Sequence, residues 1–182
     1  MNKYSLAFFY YMSNESLRIF SAFLLLKNYC YVKIISKRRE SVAMFISKKE
    51  IEVRYAETDQ MGVVYHANYL VWLELGRTQL VKDLGFDYSE MEKDGFVSPV
   101  LEVHVSYKKS LRYGETASVH TWIEEYSPVK TIYGYEIYNE AGELAVSATT
   151  LNTIVKKETF RPVSLKRHYP AWHEVYEKNK RQ

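Results

Sequence analysis

Residues 68–85 read NYLVWLELGRTQLVKDLG. Leu70, Leu73, Leu80, Val81 and Leu84, with Trp72 between them, recur at helical spacing over about four turns, so the stretch predicts one long amphipathic helix. Gly85 stands where a left-handed C-terminal cap is wanted. The apolar stripe is wide enough to lie across a sheet, and the sequence on either side supplies one. Ahead of the helix, Ile46–Tyr55 alternates Ile51, Val53 and Tyr55 against Glu50, Glu52 and Arg54, the pattern of a strand with one buried face. Ala56–Val64, with Thr58, Asp59 and Gly62, reads as a loop. Behind the helix, Tyr88–Asp94 suits a short second helix, after which the period becomes two. Val97, Pro99, Leu101, Val103, Val105 and Tyr107 alternate with more polar neighbours, and Ala117, Val119, Thr121 and Ile123 do the same. Lys130–Asn139 and Leu144–Val155 are two further strands, joined by Asn139-Glu140-Ala141-Gly142, a hairpin turn with glycine late in it. A strand, a long helix and four consecutive strands predict an α+β fold: an antiparallel sheet with one helix on one face.

The composition has to be divided before it says anything. Of 182 residues, 25 are Lys or Arg and 22 are Asp or Glu. Seven of the basic and two of the acidic residues fall in 1–43, a net of +5, which leaves 18 basic and 20 acidic residues and a net of −2 for residues 44–182. The basic balance thus belongs to the leader and gives no reason to expect nucleic acid binding. The leader's longest uncharged apolar run, Ile19–Leu26, is far short of the roughly 20 residues of a membrane span. Of the parts of a secretory signal only the apolar run is loosely met, and Arg18 and Lys27 bracket it. Its Lys, Asn, Tyr, Phe, Ile and Leu are what AT-rich DNA encodes, and Lys37-Arg38-Arg39-Glu40 fits a purine-rich ribosome-binding sequence three codons ahead of Met44. The expectation is a mis-assigned start with Met44 as the true first residue; the alternatives are a disordered extension and a membrane-associating arm. The expected organisation is leader 1–43, one domain over 44–160, and a tail over 161–182 with a terminal helix in Trp172–Lys180. Cys30 is the single cysteine, which excludes a disulfide framework and suits a cytoplasmic setting. His104, His120, His168 and His173 have no metal-ligand spacing, so neither a metal nor another cofactor is expected.

The chemistry concentrates in YAETDQMGVVYHANY, residues 55–69. A carboxylate, Asp59, lies on the loop ahead of a helix, and Gly62 permits close approach of the backbone. Tyr65 and His66 follow where the helix begins. Helix starts expose unpaired N–H groups and a partial positive charge, which suit a developing oxyanion. Asp59 can attack a carbonyl or activate water. Residue types alone therefore allow acyl transfer or hydrolysis, with a simple turn-capping aspartate as the plain alternative.

Tyr55-x-Glu57-x-Asp59-x-x-Gly62-Val63-Val64-Tyr65-His66-Ala67-Asn68-Tyr69, the helix with Trp72, Glu74 and Arg77, and Val105-Ser106-Tyr107 resemble the 4-hydroxybenzoyl-CoA thioesterase family of hotdog proteins. The closer resemblance is to its bacterial acyl-CoA thioesterase subgroup, including the enzyme associated with the Tol-Pal envelope system. It covers about Ser47–Lys157. The resemblance implies a hotdog fold and hydrolysis of acyl-CoA to free acid and CoA, with Asp59 as nucleophile or base. It places Gly62, Tyr65, His66 and Asn68 around the substrate carbonyl, with the backbone N–H groups of Tyr65 and His66 as oxyanion donors. His66 stands where the aromatic-acyl relative has Tyr, which puts the 4-hydroxybenzoyl group in doubt as substrate. Glu74 is a candidate second carboxylate or an ion-pair partner of Arg77 at i and i+3. Lys108, Lys109 and Arg112 are candidates for the CoA phosphates, the alternative being a solvated charge cluster. A lone hotdog sheet has exposed edges, so a homodimer or homotetramer is expected. The rivals are a non-catalytic acyl-CoA sensor and a hydroxyacyl dehydratase, whose His-Phe-Pro-Gly type loop is absent from the sequence.

Overall fold

A computed structural model describes residues 44–182, so the expectations for the leader lie outside the described residues. Five strands form one antiparallel sheet in the order β1-β4-β5-β6-β3, with β1 at Ser47–Glu52, β3 at Val100–Tyr107, β4 at Thr116–Tyr126, β5 at Lys130–Tyr138 and β6 at Leu144–Thr153. The long helix, α1 (Asn68–Asp83), lies on one face, and a shorter helix, α2 (Tyr88–Lys93), follows it. A two-stranded ribbon pairs β2 (Phe96–Val97) with β7 (Val155–Lys156). This is the α+β arrangement that the sequence predicts.

Helix α1 is drawn tight against β1 and β4 because its sheet side combines bulk with one gap. Tyr69, Trp72, Leu73, Leu80 and Val81 are buried, and each aliphatic side chain so covered contributes about 1.5–3 kcal/mol. Gly76 is the gap: a Cβ there would sit 2.6 Å from Thr121 Oγ1 and 2.8 Å from Val119 Cγ1 of β4. The helix ends as expected, with Gly85 at φ +89°.

Three expectations change in detail. Strand β1 stops at Glu52, the chain turns through a 3₁₀ turn at Tyr55–Glu57, and Tyr55 is 77% exposed instead of continuing the buried face. Pro99, which has no N–H for a ladder, separates β2 from β3 where one strand over 97–107 is expected. Leu70, expected in the buried helix stripe, is exposed on the side of α1 that faces β3, while Tyr69 is buried.

The tail after residue 160 is built into the core. It forms α3 (Leu165–His168) and α4 (Pro170–Asn179), and Leu165, Trp172 and Tyr176 are buried. Trp172 stacks on Phe86 at 4.7 Å with an interplanar angle of 4°, and the Tyr176 hydroxyl hydrogen-bonds that of Tyr133 at 3.0 Å. Among the described residues no helix is long and apolar enough to cross a membrane.

Candidate active site

The loop ahead of α1 owes its shape to two carboxylates with different tasks. Glu57 is 5% exposed and binds three donors: its Oε2 accepts from the Arg54 N–H (2.9 Å), and its Oε1 accepts from Arg54 Nη2 (2.7 Å) and Trp72 Nε1 (3.1 Å). Burial disfavours its charge, but the Arg54 and Trp72 hydrogen bonds outweigh burial and hold the carboxyl below the usual range. Its backbone carbonyl accepts two more, from Tyr65 N–H and Asn68 Nδ2, both at 2.8 Å. Glu57 therefore ties the loop to the first turns of α1.

Asp59 has the opposite setting. Its Oδ1 accepts from the Met61 N–H at 2.8 Å, its carbonyl from the Gly62 N–H at 2.9 Å, and its N–H donates to the Val63 carbonyl at 2.9 Å. Gly62 completes this tight turn at φ +71°, in the left-handed region that favours glycine. The aspartate is thus a turn cap, as the plain alternative has it. Its other oxygen, Oδ2, accepts no hydrogen bond from the described residues and stays available.

Asp59, His66, Tyr69, Tyr107, Lys108 and Lys109 share a cavity of about 260 Å³ at the start of α1. The Tyr107 hydroxyl donates to the His66 carbonyl at 3.0 Å, which holds the end of β3 against the helix start. The N–H groups of His66 and Ala67 make no hydrogen bond within the described residues, so two donors remain free at the start of α1, where His66 lines the cavity.

Several expected site residues have other duties. The Tyr65 N–H is committed to Glu57 and is not a free oxyanion donor; the pair that the geometry leaves is His66 with Ala67. The Asn68 amide is committed to the same carbonyl and positions the loop. Glu74 lies in a separate cavity farther along α1, away from Asp59. The Glu74–Arg77 ion pair is not formed, because Arg77 turns inward and its guanidinium carbon sits 5.5 Å from the centre of the Tyr88 ring. Lys109 pairs with Glu143, and Arg112 Nη1 donates to the Gly62 carbonyl at 3.4 Å, bracing the turn. Lys108 lines the Asp59 cavity with no carboxylate partner among the described residues. Glu57 and Tyr107 are the positioning residues that pattern reading passed over. Glu57 lies in a polar loop, and its partner Trp72 is fifteen residues on, which only the fold brings within reach.

A profile of the thioesterase-like superfamily matches residues 53–173. The chain belongs to that superfamily. Its relatives there include the putative acyl-CoA thioesterase YneP of Bacillus subtilis, 64% identical over 138 residues, which are 76% of this chain and all of the relative. Among solved structures, the DHNA-CoA thioesterase of Staphylococcus aureus is 50% identical and superposes with a TM-score of 0.72, covering 73% of this chain and 89% of that one. The protein TT1821 of Thermus thermophilus is 32% identical with a TM-score of 0.66, covering 72% and 98%. The superfamily's hotdog fold is the helix-wrapped sheet described above.

Proposed function

We propose that this thioester hydrolase acts on acyl-CoA, releasing free acid and CoA. The observation that carries the reading is the meeting, in one cavity, of an available Asp59 oxygen, His66 with its undonated N–H at the start of α1, and Lys108, with the undonated Ala67 N–H next in the chain. The thioester carbonyl points its oxygen at the His66 and Ala67 N–H groups. One donor of this kind is typically worth about 10²–10³ in rate. Asp59 then either attacks the carbonyl carbon, expelling CoA thiolate and leaving an acyl anhydride on Asp59 that water hydrolyses to the free acid, or takes a proton from the attacking water and returns it to the CoA sulfur as the thiol leaves. Held by Met61 through Oδ1, the carboxylate presents Oδ2 to the substrate without needing to reorganise. The His66 ring lines the same cavity as Asp59 and is the group that we assign to orienting the water. Lys108 is the phosphate contact that we favour, since Lys109 and Arg112 already have partners.

Within the superfamily we assign the chain to the acyl-CoA subgroup that includes the Tol-Pal-associated enzyme, an assignment supported by His66 in the motif and by the likeness to YneP. A second reading, an aromatic acyl-CoA, is favoured by the 50% identity to a DHNA-CoA thioesterase. We also propose a homodimer or homotetramer. β3 is an edge strand whose Val100, Leu101, Val103 and Tyr107 are exposed beside the exposed Leu70, Val71 and Leu75 of α1, an apolar band that a second copy would cover.

Thiol release across a panel of acyl-CoA esters, followed with a thiol reagent, tests the hydrolysis. Turnover of at least one ester, lost in Asp59→Asn, is expected. Binding without thiol release by the intact protein would make it a sensor.

A further inference from the structure

Residues 156–167 read KKETFRPVSLKR and carry five basic side chains, Lys156, Lys157, Arg161, Lys166 and Arg167, against one acid, Glu158. The stretch has a net charge of +4, whereas the other residues of 44–182 hold 13 basic and 19 acidic side chains, a net of −6. All five cations are exposed, and among the described residues none of them forms an ion pair. Like charges held this close repel one another, which works against the fold unless an anion from outside the chain faces them.

The same stretch holds an aromatic ring in solvent. Phe160 is 67% exposed and, at φ +51°, is the only non-glycine residue at positive φ among the described residues. A bulky side chain in that region is strained. The turn is nevertheless well tied: the Phe160 N–H donates to the Lys156 carbonyl at 2.8 Å, the Lys156 N–H to the Arg161 carbonyl at 3.1 Å, and the Lys157 N–H to the Gly95 carbonyl at 2.9 Å. Its base is the ribbon of β2 and β7. The half-exposed Val129 lies beside α3, where the Leu165 N–H donates to the Pro128 carbonyl at 2.7 Å.

This end of the molecule is away from the Asp59 cavity. In the ladder between β3 and β6, Val100 faces Asn152 and Tyr107 faces Val146. The basic stretch continues from the Asn152 end, and the cavity lies at the Tyr107 end, about 23 Å along β3 at about 3.3 Å per residue. A single phosphate ion calls for donors that converge on a point. These five are strung over an exposed turn and a short helix, and none of them lines the Asp59 cavity or the Glu74 cavity. A nucleic acid or an acidic protein would be held by the charges alone. The protruding ring favours a surface with hydrocarbon beneath its anions, where lysine and arginine stay among the headgroups and the phenyl group enters the acyl boundary.

We propose that the turn Lys156–Arg161, together with α3, docks this protein on anionic lipid surfaces. Phe160 enters the boundary between headgroups and acyl chains, and the five cations pair with lipid phosphates. The acidic remainder of the domain is repelled by the same surface, so this end alone faces it. Docking is reversible and weakens with salt, because screening shortens the reach of each charge.

The test is co-sedimentation of the full chain with vesicles of phosphatidylcholine alone and with vesicles containing about 30 mol% phosphatidylglycerol, at low and high salt. The wild type is expected on the anionic vesicles at low salt and free of the neutral ones. The triple variant Lys157→Gln, Arg161→Gln, Lys166→Gln should bind the anionic vesicles about a hundredfold more weakly, at about fivefold per charge. Phe160→Gly should lose about tenfold or more, the effect of one buried aromatic side chain, while its melting temperature holds or rises because glycine suits the positive φ. Both variants should keep the wild-type kcat/KM for a soluble acyl-CoA ester. A wild type that ignores anionic vesicles would overturn the proposal, as would equal binding by wild type and both variants. Loss in the triple variant with full binding by Phe160→Gly would leave a general polyanion surface and overturn the lipid assignment. A raised KM for the acyl-CoA ester with unchanged vesicle binding would make the cations substrate contacts and overturn it too.

Discussion

The two sides of helix α1 are built on different principles. Toward β1 and β4 the helix is closed: Trp72, Leu73, Leu80 and Val81 are buried, and Gly76 lets its backbone reach Thr121 and Val119. Toward β3 it is open: Leu70, Val71, Val100 and Val103 are exposed, and the seam holds both the Asp59 cavity and the Glu74 cavity. The closed side sets the stability, and the open side is left for chemistry. Substitutions on the two sides should therefore fail in different assays.

The largest expected effect is on the open side. Asp59→Asn keeps the Oδ1 that accepts from Met61 and removes the carboxylate, so turnover should fall by roughly 10²–10⁴ with no change in melting temperature. His66→Ala should lose less, because its backbone N–H remains, and Glu74→Gln least, because Glu74 lies in the other cavity. Steady-state thiol release on the three variants checks the ranking. A Glu74→Gln protein that is inactive while Asp59→Asn retains over a tenth of the wild-type rate would move the catalytic carboxylate onto the helix.

On the closed side, Gly76→Ala forces a methyl into Thr121 and Val119, and overpacking of this kind costs about 1–3 kcal/mol. Chemical denaturation should show that loss, with kcat kept in the folded protein. If the variant is as stable as wild type, the helix is not held as tightly against β4 as the geometry says.

Glu57 joins the two sides, and its test is a pH series. Because its folded carboxyl lies below the ordinary range, its contribution is present above the unfolded value of about 4.3 and is lost as pH falls through the folded one. Glu57→Gln should cost about 1–3 kcal/mol at neutral pH, from hydrogen bonds weakened at a buried charge. The gap in melting temperature between wild type and variant should close as the pH is lowered below about 4. A gap independent of pH would mean that shape, and not charge, holds the loop.

The smallest expected effect concerns residues outside the described ones. A chain beginning at Met44 should match the full chain in melting temperature and turnover, since both sides of α1 lie within 44–182. A loss of either would bring the first 43 residues into the working protein.

The sequence by itself determined the periodicities, and with them the fold class. One helical stripe between two runs of period two has few ways to bury its apolar faces, and an antiparallel sheet under one helix is the simplest. It also determined the Asp59 turn, because Asp-x-x-Gly is a local device that needs only four residues and one positive φ. Only the tertiary structure decided which groups remain free. Tyr65 and Asn68 look like donors in the sequence, yet both spend their hydrogens on Glu57, eight and eleven residues earlier. Arg77 looks like the ion-pair partner of Glu74, yet it turns under Tyr88 because that ring arrives from the following helix. Trp172 and Tyr176 look like part of a charged tail, yet they pack on Phe86 and Tyr133 and close one end of the core. The physical reason is the same in each case. A hydrogen bond or a buried ring is settled by what lies across space, and a single chain's order of residues leaves that neighbour unnamed.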